Sequence, residues 1–373
     1  MEGANKIKKK KMGKAWICVG SMLVLLLCSM PVSANGNEDS TFESEIEVVE
    51  TAGMNGYYTY NAITKEKTYT SPSEYKPNES ELGEIRTTTP DPADPDVLAN
   101  NYTEYYENGD TPVEGTTIDF DFLPDVEPYG IVDGDNRFPV SSVTSRYAST
   151  CLLVTRFENG EKAFGTGFLV DNYHVLTAAH NVLNVENGYA SHVAVYAGSN
   201  NGTYKKYSLS HIWDIGGHYE QYYDTDYRNK AMFDDWAILE CDSSMAGVGA
   251  MSVMEANNAS EMTSHKYYTQ GYPYDRNRTI FGDFDENTVL INYYMFWTYG
   301  YVIDDEPGPS TRFLDVVSMT LDTDEGQSGS PIYRLVNDVP HAQAIVVAGS
   351  ETLNHNYALL INDWLFNVIE NQL

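Results

Sequence analysis

The chain has 373 residues, enough for a substantial core and two or three folding units. Its 54 acidic residues outnumber 23 basic ones for a formal net charge of -31, a field that repels phosphate backbones and anionic lipid and so excludes nucleic-acid or membrane binding through a basic patch. With 4 cysteines, of which Cys18 and Cys28 lie in an apolar N-terminal run, neither a disulfide-dense scaffold nor a cysteine-rich zinc site is available.

Residues 1–34 read as a signal peptide. Lys6, Lys8, Lys9, Lys10, Lys11 and Lys14 form a basic start, Ala15 to Met30 is apolar but short for a membrane span, and Val32-Ser33-Ala34 offers the small residues of a cleavage site. The product is expected to be secreted and extracellular, with no membrane association after signal removal. Residues 35–129 hold 22 acidic against 4 basic residues, few apolar runs and the proline-rich stretch Thr89 to Pro95. They are expected to be an acidic, poorly structured pro-region or linker. From Gly130 onward, short runs such as Cys151 to Thr155, Gly167 to Val170, His192 to Tyr196, Trp236 to Leu239 and Ala344 to Val347 alternate with Gly, Asn and Asp. That texture predicts an all-β sandwich or barrel over residues 130–373. At the end, Asn362 or Asp363 can cap a helix from Trp364 to Asn371 with Trp364, Leu365, Val368 and Ile369 on one face.

Three local patterns carry chemistry. In Val175-Leu176-Thr177-Ala178-Ala179-His180 a strand ends in small residues that let the chain turn tightly and leave His180 at its edge. Asp235 immediately precedes the apolar run Trp236-Ala237-Ile238-Leu239. Ser328 lies between Gly326 and Gly329, whose missing side chains let a substrate backbone approach and consecutive N–H groups point inward. Taken alone, each has a structural explanation: an edge histidine, a turn aspartate, a Gly-Ser loop. Together they supply what a serine nucleophile needs, a neutral imidazole to take the hydroxyl proton and a carboxylate to hold the imidazole. The order His180, Asp235, Ser328 differs from the Ser-first order of α/β-hydrolases, and Ser330 breaks their Gly-x-Ser-x-Gly elbow.

Thr-Ala-Ala-His at 177–180, Asp-Trp-Ala-Ile-Leu at 235–239 and Gly-Gln-Ser-Gly-Ser-Pro at 326–331 resemble the three signatures of the chymotrypsin-fold serine endopeptidases. The Gln-Ser-Gly-Ser-Pro variant is similar to that of the secreted bacterial glutamyl endopeptidases. The resemblance implies two six-stranded antiparallel β-barrels with a C-terminal helix, preceded by the signal peptide and the acidic pro-region. It implies His180 and Asp235 on the first barrel and Ser328 on the second, with the N–H groups of Gly326 and Ser328 as the oxyanion hole. His174 competes with His180 but precedes the strand. Protein or peptide substrates follow, with the protein's own pro-region as a further partner, and no cofactor or metal is implied.

Two departures from the family bear on activation and specificity. Animal relatives place an aspartate before the nucleophile, where it captures the amine freed by processing; this chain has Gln327. The bacterial relatives also need a freed N-terminus, and Ile131 to Arg137 resembles their mature start, so a zymogen cut near Tyr129 to Ile131 is expected. In the P1 pocket, Thr323 sits five residues before Ser328 as in glutamate-specific relatives, but Val347 and Gly349 on the strand after the nucleophile come with no histidine between them; His341 and His355 only flank it. Asp322 occupies the place of the acid that selects P1 Arg or Lys. Glutamate, apolar and basic P1 preferences all stay open, as does a catalytically inactive, protease-like adhesin or binding module.

Cys151 and Cys241 are expected either to form one disulfide across the first barrel or to remain buried thiols. Asp304-Asp305-Glu306 reads as a solvated loop, and EF-hand spacing is absent from the sequence.

Overall fold

Strand β4 (Thr150–Phe157) shows why the chain chooses sheet: β-branched and aliphatic residues dominate it, and every side chain except Arg156 is buried, so both faces are covered. The computed structural model describes residues 56–71, 86–99, 131, 135–224, 232–256, 258–281, 293–303, 315–350 and 355–372. The expected signal peptide and all of the expected processing region except Ile131 lie outside them.

Ahead of β4 come β1 (Tyr57–Asn61), β2 (Lys67–Thr70) and β3 (Phe138–Pro139). After it follow β5 (Lys162–Leu169), β6 (His174–Thr177), β7 (Leu183–Asn184), β8 (Gly188–Ala197), β9 (Lys206–Gly216) and β10 (Ala237–Cys241). Then come β11 (Ser252–Val253), β12 (Lys266–Gly271), β13 (Phe296–Ile303), β14 (Val316–Met319), β15 (Pro331–Val336), β16 (Val339–Ser350) and β17 (His355–Leu360). Antiparallel pairing runs β4-β5-β6-β10-β9-β8 and returns from β8 to β4, closing a six-stranded barrel. A second closes as β12-β13-β14-β17-β16-β15 and back to β12. Closure removes the sheet edges that an open sheet exposes.

Each barrel has its own core, with Leu153, Val175, Val195, Trp213 and Leu239 in the first and Tyr267, Met319, Ile332 and Leu360 in the second. A third apolar cluster joins them: Phe168, Leu176 and Ile238 from the first barrel meet Tyr333, Ile345 and Leu359 from the second. The C-terminal helix Asp363–Gln372 completes this cluster with Leu365, Phe366, Val368 and Ile369. Its cap is Asn362, whose Oδ1 accepts the Leu365 N–H at 2.9 Å, as expected from the sequence.

The expectation of a poorly structured acidic region needs correction for residues 56–71 and 86–99. β9 bends so that β8 pairs with Lys206 to Ser210, and the edge it leaves is taken by β1, in register from Tyr57 opposite Gly216 to Asn61 opposite Ile212. Tyr60 is buried with its ring stacked on Tyr189 at 4.0 Å and on Trp213 at 5.6 Å, while Tyr57 packs against Trp236 and Trp364. Arg86 reaches Glu255 at 2.6 Å, Asn367 at 2.7 Å and Asp363, and its guanidinium covers the Phe366 ring. Farther on, the Asp94 N–H donates to Gly247 O at 2.8 Å, and Lys205 Nζ donates to Leu98 O at 2.7 Å in the short helix Pro95–Ala99. In these two described stretches, Tyr57, Tyr60, Val97 and Leu98 therefore find their partners on the barrels, while Ile63 stays exposed.

Candidate active site

Strand register brings His180 and Asp235 together. Ala237 at the start of β10 pairs with Thr177 at the end of β6, so the residues before Ala237 lie opposite those after Thr177. Ala178 and Ala179 are fully buried, and the chain makes a tight 3-10 turn over Ala179–Asn181 that a larger residue would obstruct. His180 Nδ1 lies 2.7 Å from Asp235 Oδ2, and the His180 N–H donates to Asp235 Oδ1 at 3.0 Å. Burial opposes protonation of His180, but the charge of Asp235 and the hydrogen bond to it outweigh that effect and raise the imidazole pKa. Asp234 faces elsewhere, accepting the His218 N–H at 2.8 Å and Trp236 Nε1–H at 2.6 Å. His174 is occupied by Asp171, 2.9 Å from its Nδ1.

Ser328 sits in the turn between β14 and β15. Gly326 and Gly329 adopt φ of +85° and +84°, a left-handed region open to glycine. A Cβ on Gly329 would lie 2.2 Å from both Thr166 O and Thr177 Oγ1, so the turn presses directly on the first barrel. The Ser328 carbonyl accepts Thr166 N–H at 3.0 Å and Asn181 Nδ2–H at 2.9 Å. Asn181 follows His180, so these bonds tie the serine of the second barrel to the histidine turn of the first. Among the described residues, the N–H groups of Gly326 and Ser328 donate to no other group, which leaves both available to an incoming oxyanion.

The expected P1-pocket residues divide. Asp322 is fully buried and accepts the Asn136 N–H at 2.9 Å, and Thr323 beside it is also buried. Val347 lies at an irregularity in the β16–β17 ladder and packs into the cluster that joins the barrels. A Cβ on Gly349 would come 2.7 Å from Asn356 Oδ1. His341 pairs opposite Arg334 and His355 opposite Ser350, so neither takes the position of Val347.

Cys151 and Cys241 are free, buried thiols, which decides against the disulfide. Both lie in the apolar core of the first barrel, where burial above all holds their pKa up, that of Cys241 at about 12. The acidic run at 304–306 lies outside the described residues, and among the described residues no three His, Cys, Asp or Glu side chains are grouped to hold an ion.

Sequence reasoning missed Thr166, Asn181, Arg137, Asp275 and Asp324, which hold the serine turn in place. Asn181 was signalled by its position directly after His180. Asp324 lies within the serine turn itself, four residues before Ser328, whereas Thr166, Arg137 and Asp275 act from distant elements and left no local pattern.

Two closed six-stranded barrels, with a His-Asp pair on one tied to a serine turn on the other, define the chymotrypsin-fold class. Residues 165–338 match the trypsin-like peptidase domain family. The chain is 25% identical over 249 residues to a protein of Bacillus subtilis (strain 168) named extracellular metalloprotease, covering 66% of this chain and 70% of that one. Among solved structures it is similar to one titled Glu endopeptidase in complex with MPD, at a TM-score of 0.51 and 20% identity over 65% of this chain and 98% of that one. Residues 165–338 are thus similar to a trypsin-like peptidase domain, and the two barrels take the chymotrypsin fold.

Proposed function

We propose that this chain is a secreted serine endopeptidase acting through Ser328, His180 and Asp235. The observation that carries the proposal is the 2.7 Å contact from His180 Nδ1 to Asp235 Oδ2, with the Ser328 carbonyl tied to Asn181 beside it. Asp235 fixes the tautomer that leaves Nε2 free to accept a proton. Ser328 Oγ attacks the scissile carbonyl as His180 takes its proton, and His180 then protonates the leaving amine; water repeats the sequence on the acyl-enzyme. The N–H groups of Gly326 and Ser328 stabilise the oxyanion, a contribution of about 3 kcal/mol per donor.

Secretion is supported by the signal-like residues 1–34 and by the extracellular relative. Although that relative is named a metalloprotease, the described residues of this chain offer no ligand set for a catalytic metal, and no step here runs through one. We assign a P1 preference for glutamate or aspartate on the structural likeness and on Thr323. Burial of Asp322 against Asn136 argues against a basic P1 residue. The acidic region is the proposed pro-region and intramolecular partner, released or retained after cutting near Tyr129 to Ile131.

The test compares wild type with Ser328→Ala, full length and trimmed at residue 131, on a peptide library read by mass spectrometry, with and without chelator. Chelator-insensitive cleavage by wild type only, after Glu or Asp, is the expected result. Cleavage after Leu, Tyr or Lys would reject the P1 assignment, and equal cleavage by Ser328→Ala would reject the mechanism.

A further inference from the structure

The turn that presents Ser328 is built around a buried guanidinium from the segment that precedes the first barrel. Arg137 is 4% exposed and is forked on two carboxylates: Nε and Nη2 meet Asp135 at 3.1 and 2.9 Å, and Nη1 and Nη2 meet Asp275 at 2.9 and 2.5 Å. Arg276 adds a second cation on Asp135. On its other side Arg137 Nη1 lies 3.5 Å from Oε1 of Gln327, the fully buried residue before Ser328. That same Oε1 accepts the Asp324 N–H at 3.1 Å, and the Gln327 N–H donates to Asp324 O at 2.9 Å. One residue back, the Asn136 N–H holds Asp322 at 2.9 Å. Residues 136 and 137 thus grip the turn at both of its ends, 322 and 327, while Tyr274 N–H, next to Asp275, fixes its middle through Glu325 O at 2.6 Å.

The turn's own chemistry calls for a cation there. Burial, and then the charge of nearby Asp275, push the Asp324 carboxyl up to about 9, and burying carboxylates side by side is costly without an opposing charge. An arginine fork neutralises one carboxylate bidentately and remains ionised at every working pH. Arg137 is supplied by the chain itself, whether or not the bond near residue 130 has been cut.

We propose that Arg137 is a positioning residue that locks the turn from Asp322 to Ser328 in its anion-binding shape, so that Ser328 reactivity does not depend on a freed α-amino group. This inference rests on the serine-peptidase reading and removes one role from the expected cut: the cut does not build the oxyanion site. Arg137 touches neither substrate nor reacting atoms, and acts through Gln327 and the two aspartates.

The test uses four full chains, each cut once ahead of Ile131 with the N-terminal fragment left bound: wild type beginning its second fragment at Ile131, the same protein with Gly-Ser added ahead of Ile131, Arg137→Gln and Arg137→Lys. Intact mass verifies each N-terminus. Ser328 labelling by a fluorophosphonate probe, in which the serine oxygen displaces fluoride, is read beside kcat and KM on a cleaved peptide. The extended form should label within twofold of wild type. Arg137→Gln should lose at least 100-fold in labelling rate and kcat with KM changed less than threefold, and Arg137→Lys should recover at least tenfold of that loss. Should Arg137→Gln fail to fold, Asp275→Asn keeps the guanidinium but frees its fork and is expected to lower kcat at unchanged KM. A tenfold or larger loss on the Gly-Ser extension, or folded Arg137→Gln and Asp275→Asn proteins with wild-type labelling, would overturn the proposal. Failure of the folded, cut wild type itself to label overturns the serine-peptidase reading and this inference with it.

Discussion

Asp234 and Asp235 are sequence neighbours with opposite surroundings, and two substitutions separate them. Asp235→Asn is expected to lower kcat by about 10⁴-fold through loss of the correct imidazole tautomer. It should also move the acid limb of the activity profile to lower pH, because Asp235 is what raises the His180 pKa against the opposing effect of burial, and activity needs the neutral ring. Asp234 is pushed up to about 7, mainly by burial and further by the charges of Asp315 and Asp235. Its folded form therefore holds a proton that the unfolded chain has released, so the stability it contributes is present at pH 4 and lost as pH rises towards 7. In Asp234→Asn that loss should disappear from melting temperatures recorded across this window, while the pH dependence of activity keeps its shape. A glycine pair makes a second contrast. Gly329→Ala puts a methyl group 2.2 Å from Thr166 O and should abolish activity, whereas Gly160→Ala, at a φ of +88° with open space around it, should cost only about 1 kcal/mol in a denaturant titration.

The strand β1 belongs to the first barrel by packing and to the acidic region by sequence. Tyr60→Ala removes a ring stacked between Tyr189 and Trp213 and is expected to cost about 3–5 kcal/mol, measured as the shift in urea midpoint. After a cut near residue 130, the fragment carrying Tyr57–Thr70 and Arg86–Ala99 should co-elute with the peptidase domain in size exclusion, and Tyr60→Ala should release it. Short-range elements were readable in advance: the histidine turn, the acid before β10, the glycine-flanked serine and the cap at Asn362 each spell themselves out within a few residues. β1 did not, because Tyr57 and Tyr60 make sense only opposite the edge of β9, and Thr59 bonds to Asp214 across 155 positions of sequence. The grip of Asn136 and Arg137 on the serine turn was hidden for the same reason, since Arg137 and Gln327 stand 190 positions apart. The specificity strand was legible only as an absence: the sequence shows that no histidine stands at Val347, and the fold turns that side chain into the joining cluster.

At the scale of the molecule, apolar clusters join the two barrels, and the thiols sit in the core of the first. A thiol reagent should find neither Cys151 nor Cys241 in the native trimmed protein and both after unfolding in guanidinium, while added reductant leaves the melting temperature unchanged; a change with reductant would restore the disulfide. Arg86, in the first quarter of the chain, is held by Asp363 and Asn367 in the last helix, the latter across 281 positions. Contacts of such long range close late in folding. A nascent chain leaving the ribosome has had its N-terminal strand ready for most of its synthesis, yet the strand's edge on β9 and the anchor for Arg86 both emerge after it. The helix Asp363–Gln372 is thus a late-made anchor: Arg86 cannot be held before that helix exists, and a variant lacking it would lose the Asp363 and Asn367 contacts while keeping the pairing of β1 on β9.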